Sequence, residues 1–309
     1  MADGSALIAE RDAWKGRLQI TAAATLWSTS GFFVKAPWFD AWPAESRGLM
    51  IAFWRSLFAI LVLLPFIRRP AWRWPIVSMV LCFALMVWSF MSAMVHGPAA
   101  NAIWLQYLCP VWVMLASLVF LKEKINGRDL RMFSFCLAGV ALILSCEMWQ
   151  GRTLYATVLG LISGLGLAGV VLSMRGLRDL DPAWLVTLNH TGTIVLLGPW
   201  AWLEHRAIDP SAYWALGFFG IFQMSIPYVL FARGLRGISS PEASVLTLIE
   251  PILVPIWVYL AWHHHATYES PMWWTWAGGV LIAIGLLGRY WPVMIRALRM
   301  GRSESTMRN

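Results

Sequence analysis

Tyr107-Leu108-Cys109-Pro110-Val111-Trp112 lies inside an apolar run over about residues 98–121 and places a proline part-way along it. A second apolar run, over about residues 240–262, carries the related stretch Leu248-Ile249-Glu250-Pro251-Ile252-Leu253. The two prolines are separated by close to half of the 309-residue chain. Self-similarity at a fixed spacing indicates a repeated architecture, so the sequence predicts two related halves, each with a proline-interrupted segment.

The composition is that of a protein embedded in a membrane. Hydrophobic residues make up 59% of the chain, charged residues only 13%, and the mean hydropathy is +0.62. A soluble domain carries about 25% charged residues. The apolar residues come in blocks of about 20, the helix length that crosses roughly 30 Å of hydrocarbon. Because backbone groups in lipid must be satisfied within the segment, these blocks predict an all-α membrane protein.

Ten apolar blocks are long enough to be membrane spans. Divided equally, they give five spans in each half, and an odd number makes the second half enter the membrane from the opposite side. The two halves are therefore predicted to be inverted repeats, over residues 1–149 and 150–295, followed by a basic tail over 296–309. The predicted spans, in chain order, cover about 18–37, 46–67, 74–95, 98–121, 129–148, 154–174, 183–203, 211–233, 240–262 and 272–292.

The distribution of positive charge predicts the orientation. When the N-terminus is placed in the cytoplasm, most of the 24 Lys and Arg residues fall on the cytoplasmic side, as expected for a multi-pass membrane protein. The loop after the fourth span is basic, whereas its counterpart after the ninth contains His263-His264-His265 and no Lys or Arg. Both termini are therefore predicted to be cytoplasmic.

Three groups of residues carry a resemblance to a known family. They are Leu26-Trp27-Ser28-Thr29 in the first span, Pro110 followed by Leu121-Lys122-Glu123, and Glu250-Pro251. With these features the chain resembles the drug/metabolite transporter superfamily of ten-helix proteins with paired EamA-type repeats. Tyr107-Leu108-x-Pro110 is most similar to its aromatic amino-acid exporters, although Cys109 stands where those exporters have Trp, and His264 aligns with Glu123.

The resemblance implies a secondary transporter in the inner (plasma) membrane that exports small amphiphilic metabolites by alternating access. Aromatic or large apolar amino acids are the implied substrates. A small molecule and the lipid bilayer are then the partners, without nucleic acid, cofactor or enzymatic activity, and the protein is a monomer or homodimer. ATP is excluded as a direct driver because the sequence has no Walker-type phosphate loop.

A substrate site is expected near the midplane, where the two repeats meet. The candidate contacts share helical faces within the first, third, fourth and eighth spans. Aromatic rings in this set would stack on an apolar substrate; the alternatives are packing, a membrane-interface belt, or, for Gln223, an interhelical hydrogen bond. The candidates are Trp27, Ser30, Phe83, Met86, Phe90, Asn101, Trp104, Tyr107, Leu108, Phe222, Gln223 and Tyr228.

Two ionisable residues inside spans are functional candidates because charge is costly in lipid. Glu250 is the one acid predicted well inside a span apart from Glu242, and Arg55 is the one base. Glu250 could take up a proton or meet a substrate ammonium, or it could be a structural partner for the backbone near Pro251 or for Arg55. Arg55 could bind a carboxylate bidentately or balance charge.

The remaining features concern flexibility and excluded chemistry. Pro110, Pro227, Pro251 and Gly164 are predicted hinge or close-packing positions. The four cysteines and the three adjacent histidines lack metal-ligand spacing, so no metal site is predicted.

Two alternative functions remain open at this point. One is a proton-coupled multidrug exporter that uses Glu250. The other, an intramembrane enzyme, would need clustered polar groups in opposed spans, whereas the polar residues within the predicted spans are sparse and scattered.

Overall fold

The computed structural model describes residues 2–120, 122, 126–150, 154–204, 210–266 and 268–307. Every regular element in these ranges is helical, which confirms the all-α prediction. Leu121 and Glu123 of the motif that closes the fourth span lie outside the described residues. The α-helices are α1 (Ala2–Trp27), α2 (Ser30–Val34), α3 (Ala44–Leu63), α4 (Pro75–His96), α5 (Ala99–Gln106), α6 (Cys109–Phe120), α7 (Gly127–Trp149), α8 (Tyr155–Met174), α9 (Pro182–Leu203), α10 (Pro210–Phe218), α11 (Ile226–Gly234), α12 (Ser240–Leu246), α13 (Ile249–Trp262) and α14 (Trp273–Met307). Short 3₁₀ helices cover Pro37–Phe39 and Leu64–Phe66, and a π-helix covers Phe219–Ser225.

Within the described ranges, seven helical segments are long and apolar enough to cross a membrane. They are Ala44–Phe66, Pro75–His96, Ala99–Phe120, Gly127–Trp149, Tyr155–Met174, Ala212–Gly234 and Glu242–Trp262. The other three predicted spans are also helical, as α1 with α2, as α9 and as α14. Ten crossings and cytoplasmic termini stay predictions.

At both ends of the chain the helices extend beyond the predicted spans. α1 begins at Ala2, before the predicted start of the first span, and α14 continues to Met307 through most of the predicted basic tail. The spans were predicted from apolar composition, which locates the part that crosses the membrane and not the ends of the helix.

Proline accounts for two of the interrupted spans. The fourth span breaks at Tyr107-Leu108 and the ninth at Thr247-Leu248. Pro110 is the second residue of α6 and Pro251 the third residue of α13, and neither can donate a backbone N–H to the preceding turn. The breaks lie beside two of the predicted hinge prolines, whose role as hinges stays a prediction.

The first span breaks without a proline. α1 ends at Trp27, and the hydroxyls of the next two residues fold back on the last turn. Ser28 Oγ donates to the Thr25 carbonyl at 2.6 Å and Thr29 Oγ1 donates to the Leu26 carbonyl at 2.7 Å. Side-chain bonds of this kind compete with the helical ladder, and α2 resumes only at Ser30.

The helices pack in pairs that join the two halves. α3 packs on α9 and α7 on α14, which pairs the second span with the seventh and the fifth with the tenth. α4 packs on α8 and α1 on α11, which pairs the third span with the sixth and the first with the eighth. Exchanging the two halves leaves this set of pairs unchanged. The packing is therefore that of two related halves, while their opposite direction in the membrane stays a prediction.

A row of glycines lets α8 approach its neighbours closely. A Cβ on Gly164 would lie 2.8 Å from the Leu105 carbonyl oxygen of α5, and one on Gly166 would lie 3.0 Å from the backbone of Cys82 in α4. Gly160 faces the Leu105 side chain in the same way. We name this contact, formed by Gly160, Gly164 and Gly166 of α8 against α4 and α5, the glycine seam.

One carboxylate fixes the connection between the second and third spans. Asp181 caps α9 by accepting the Ala183 N–H at 3.0 Å, and its second oxygen accepts the Arg68 and Arg69 N–H groups at 2.7 and 3.3 Å. Burial on its own would raise the pKa of the Asp181 carboxyl, but the bonds from Arg68, Ala183 and Arg69 hold the pKa below its ordinary value.

We expect Gly164→Ala to destabilise the protein by about 1–3 kcal/mol, because the new methyl group overpacks the glycine seam against a backbone oxygen. Gly288→Ala is the matched control, since a Cβ there meets nothing within 4 Å and alanine favours a helix over glycine by up to about 1 kcal/mol. Thermal unfolding in detergent measures both. Equal melting temperatures for the two variants would contradict the close approach.

The Asp181 clamp should be sensitive to acid. Because the folded-state pKa is lowered, its stabilising contribution is complete above the ordinary carboxyl pKa and is lost as the pH falls through the folded-state pKa. Hydrogen–deuterium exchange of the Arg68 and Arg69 amides, corrected for intrinsic rates, should show protection that falls on acidification. In Asp181→Ala this protection should be low at every pH; protection in the variant equal to that of the wild type would contradict the clamp.

Candidate functional site

The π-helix directs a polar side chain into the bundle. Gln223 lies within Phe219–Ser225 and is 3% exposed. Its Nε2 donates to the Trp27 carbonyl at 3.1 Å, and its Oε1 accepts from Arg55 Nη1 at 3.2 Å. Trp27 is the last residue of α1, so no N–H group of a following helical turn donates to its carbonyl. Gln223 therefore joins the first, second and eighth spans.

Arg55 is buried and forms no ion pair with any described residue. It is 2% exposed, and its guanidinium carbon lies 5.1 Å from the centre of the Phe219 ring. Among the described residues, no ion pair joins it to a carboxylate, and its Nε has no hydrogen-bond partner. The suggested pairing of Arg55 with Glu250 is therefore not present in this conformation. A buried guanidinium with unused N–H donors can bind the carboxylate of a ligand.

Aromatic rings surround this polar pair. The Trp27 ring lies 5.3 Å from Tyr228, edge to face, and 5.3 Å from Phe231. Phe33 stacks on Phe219 with ring centres 4.7 Å apart. Rings at these distances and angles attract one another beyond the burial of their area.

An open apolar recess of about 430 Å³ lies beside this aromatic layer. Phe218 and Phe222 are 52% and 41% exposed on it and stack with ring centres 5.2 Å apart. Trp257 lies on another wall, and its indole N–H donates to Ser28 Oγ at 2.8 Å. The recess is lined by Leu26, Thr29, Phe32, Phe33, Phe218, Phe222 and Trp257.

The two proline breaks meet through Tyr107. Its hydroxyl lies 2.8 Å from the Thr247 carbonyl oxygen and 2.9 Å from Glu250 Oε2. Tyr107 belongs to the break in the fourth span, and Thr247 belongs to the break in the ninth. Tyr228 is within electrostatic reach of both Glu250 and Arg55, so the acid and the base belong to one neighbourhood.

A second polar cluster was missed by the sequence reasoning. Glu147 near the end of α7 is only 4% exposed, and its Oε1 accepts from Asn101 Nδ2 and Trp274 Nε1, both at 3.0 Å. Thr275 Oγ1 donates to Asn101 Oδ1 at 2.6 Å. This cluster joins the fourth, fifth and tenth spans and gives Asn101 a structural partner. The available signal was an acid within the last turn of an apolar run.

Several predicted contacts lie in packed regions away from the recess. Phe83 is edge-on to His190 at 5.2 Å, and His190 Nδ1 is 3.1 Å from Ser56 Oγ. Trp104 packs on Gly279. The predicted residues that occupy buried hydrophobic clusters are Phe83, Met86, Phe90, Trp104 and Leu108.

The structure therefore brings together about half of the predicted set. Ser30 is fully buried, and its hydroxyl has no hydrogen-bond partner among the described residues. The hinge predictions Pro110, Pro227 and Pro251 fall at helix interruptions, and Gly164 falls in the glycine seam. The predicted residues next to the recess or to the Arg55 and Glu250 groups are Trp27, Tyr107, Phe222, Gln223 and Tyr228.

Comparison with known proteins decides the family. The profile of the EamA-like transporter family matches residues 14–145 and again residues 154–291. The chain belongs to the EamA-like transporter family. Two successive matches also show that it contains two EamA repeats, and the family lies within the superfamily that the sequence motifs resembled.

Relatives of this EamA-like protein are named as transporters rather than as enzymes. An uncharacterized transporter of Archaeoglobus fulgidus is 27% identical over 277 residues, which cover 88% of this chain and 95% of the relative. The pseudopaline exporter CntI of Pseudomonas aeruginosa is 25% identical over 206 residues, which cover 66% and 70% of the two chains. A solved crystal structure with 16% identity covers 92% of this chain and 98% of its own, with a TM-score of 0.58, and so shares the fold.

We expect Glu147→Ala to lower the stability of this transporter by about 1–3 kcal/mol, because the buried Asn101 and Trp274 donors would both lose their acceptor. Glu147→Gln keeps an oxygen in that place and should cost less. Thermal unfolding of both variants in detergent provides the measurement. A loss in Glu147→Gln as large as in Glu147→Ala would show that the acceptor oxygen is not what matters.

Proposed function

We propose that this EamA-like protein is a secondary transporter that exports small amphiphilic zwitterions, with aromatic or large apolar amino acids as the substrate class. The observation that carries the proposal is Arg55, a buried guanidinium with no carboxylate partner among the described residues, one aromatic layer from an apolar recess. An amino acid with a large apolar side chain has both a carboxylate, which would bind Arg55, and an apolar group, which would fill the recess.

Arg55 supplies recognition of the substrate carboxylate. Its Nε is free of protein partners among the described residues, and Gln223 holds Nη1, which fixes the plane of the guanidinium. A carboxylate in this place would bind two parallel N–H groups, the geometry in which arginine is strongest. It would also neutralise a charge that is otherwise costly to bury.

The recess supplies recognition of the apolar group. Phe33 belongs to the recess wall and stacks on Phe219, the ring that also contacts Arg55. A substrate with its carboxylate at Arg55 would therefore reach the recess past the stacked Phe219 and Phe33 rings. At about 25 cal/mol per Å² of apolar area removed from water, a phenyl group gains more there than a methyl group, which favours aromatic substrates.

Movement of the two halves would expose the site to each side of the inner membrane in turn. The interrupted first, fourth, eighth and ninth spans and the glycine seam are places where helices can bend or slide with little loss of backbone bonding. The export direction is supported by the relative named as an exporter. Substrate, direction and alternating access together make up the proposal.

The test is exchange of labelled phenylalanine and phenethylamine across reconstituted vesicles at equal pH on both sides. Phenethylamine retains the ring and the ammonium but lacks the carboxylate. Arg55→Gln should lower phenylalanine exchange about tenfold or more and leave phenethylamine exchange within about twofold of its wild-type value, because a charged hydrogen bond contributes about 1.5–3 kcal/mol.

Two further variants test the recess. Phe222→Ala should reduce phenylalanine exchange more than threonine exchange, whereas Leu137→Ala, on the exposed face of α7, should change neither. Absence of saturable amino-acid exchange in the wild type would refute the proposal. Flux of a cationic drug that depends on Glu250 and not on Arg55 would support a multidrug exporter instead.

A further inference from the structure

The hydroxyl of Tyr107 has more acceptors than hydrogens. A phenol carries one O–H hydrogen, yet two oxygens lie within bonding distance of it, the Thr247 carbonyl at 2.8 Å and Glu250 Oε2 at 2.9 Å. An ionised carboxylate and a carbonyl are both acceptors only. If Glu250 is ionised, one of these two short contacts therefore lacks a hydrogen.

A proton on Glu250 removes this conflict. Glu250 Oε2–H can donate to the Tyr107 oxygen while the Tyr107 O–H donates to the Thr247 carbonyl. Each oxygen pair then has one hydrogen between its atoms, and the donors and acceptors form a continuous chain. Buried polar groups are almost always satisfied in this way, so the observed distances fit a protonated Glu250.

The Thr247 carbonyl is available because of Pro251. In an uninterrupted helix it would accept the N–H of residue 251, but proline has none. The Glu250 N–H bonds the same carbonyl at 3.0 Å and leaves one lone pair for Tyr107. The hydroxyl therefore replaces the missing backbone donor and ties the break of the fourth span to the break of the ninth.

We propose that Glu250 is the site that binds and releases a proton during transport, and that Tyr107 couples each change to the two helix breaks. When the proton leaves Glu250 Oε2 for water, the Tyr107 O–H turns from the Thr247 carbonyl to the carboxylate. Charge-assisted bonds are roughly twice as strong as neutral ones. The Tyr107 hydroxyl therefore bonds the Glu250 carboxylate, and its hydrogen bond to the Thr247 carbonyl of the ninth span is broken.

The surroundings of Glu250 contain few other ionisable groups. Tyr107 contacts it from the fourth span, and Cys109 lies near Tyr107. From the eighth span Tyr228 lies near both Glu250 and Arg55. The charged residues on the other elements packed on the ninth span include Arg17, bonded to Glu242; Lys35, beyond the end of α2; and Arg289, bonded to Asp129. Arg11, Asp12 and Lys15 of α1 are exposed.

This inference rests on the proposed transport function, in which the substrate ammonium competes with the proton for Glu250. One proton would enter the cell for each substrate exported. A one-unit pH difference is equivalent to a tenfold concentration ratio. Vesicles with an interior one pH unit more acidic than the outside should therefore accumulate labelled phenylalanine to at most about tenfold.

The accumulation ratio is the first measurement. Exchange of a zwitterion for a proton moves one net charge, so the membrane potential is held at zero; the wild type should then approach about tenfold, and both Glu250→Gln and Tyr107→Phe should fall to about one, whatever their absolute rates. Tyr259→Phe makes the same chemical change at an exposed position of α13 and should retain the wild-type ratio. A ratio near one in the wild type, or a wild-type ratio in Tyr107→Phe, would overturn the coupling.

Infrared difference spectra between acid and neutral pH, recorded without substrate, make the test independent of transport. The wild type should show a protonated carboxyl band that is missing in Glu250→Gln, displaced in Tyr107→Phe and retained in Glu147→Gln. A spectrum unchanged by Glu250→Gln would overturn the proton site while leaving the proposed function intact. Absence of amino-acid exchange with the band present would refute the proposed function and leave the proton site standing.

Discussion

The lack of a backbone N–H at Pro110 and at Pro251 constrains the structure more than any other feature. In a membrane core every carbonyl released by a proline must find another donor. The Thr247 carbonyl takes the Tyr107 hydroxyl and the Glu250 N–H, and the Gln106 carbonyl, which Pro110 cannot serve as a donor, lies beside Gly164 of the glycine seam. The breaks thereby hold the repeats together at the place where movement is easiest, and the interrupted helices meet at the centre.

The sequence was sufficient wherever a property belongs to one segment. The length of the apolar blocks predicted the helices, proline predicted two breaks, and Gly164 in the sixth span was predicted as a position of hinging or close packing. Properties that depend on neighbouring helices were not predictable. Phe83, Met86 and Phe90 share a helical face, but the sequence of their own helix does not tell which span this face packs against. The π-helix at Phe219–Ser225 and the partners of Glu147 likewise depend on contacts with other helices and could not be predicted.

Polar groups inside the bundle are few and occur in separate clusters with different roles. Asn101, Glu147 and Thr275 saturate one another, as in a structural joint between helices. Arg55 and Gln223 form a pair that still has an unused donor among the described residues, and Tyr107 faces two acceptors with one hydrogen. An apolar environment makes such incomplete bonding costly. These two incompletely bonded groups are the ones to which we assign the substrate carboxylate and the transported proton.

The glycine seam shows how far the two halves have diverged. The sixth span packs tightly on the third and fourth through the glycine seam, whereas its counterpart, the first span, packs closely on the eighth through Gly16 and also lines the recess with Leu26, Phe32 and Phe33. Corresponding spans of the two repeats therefore form different surfaces, one a tight contact between helices and the other the wall of a cavity.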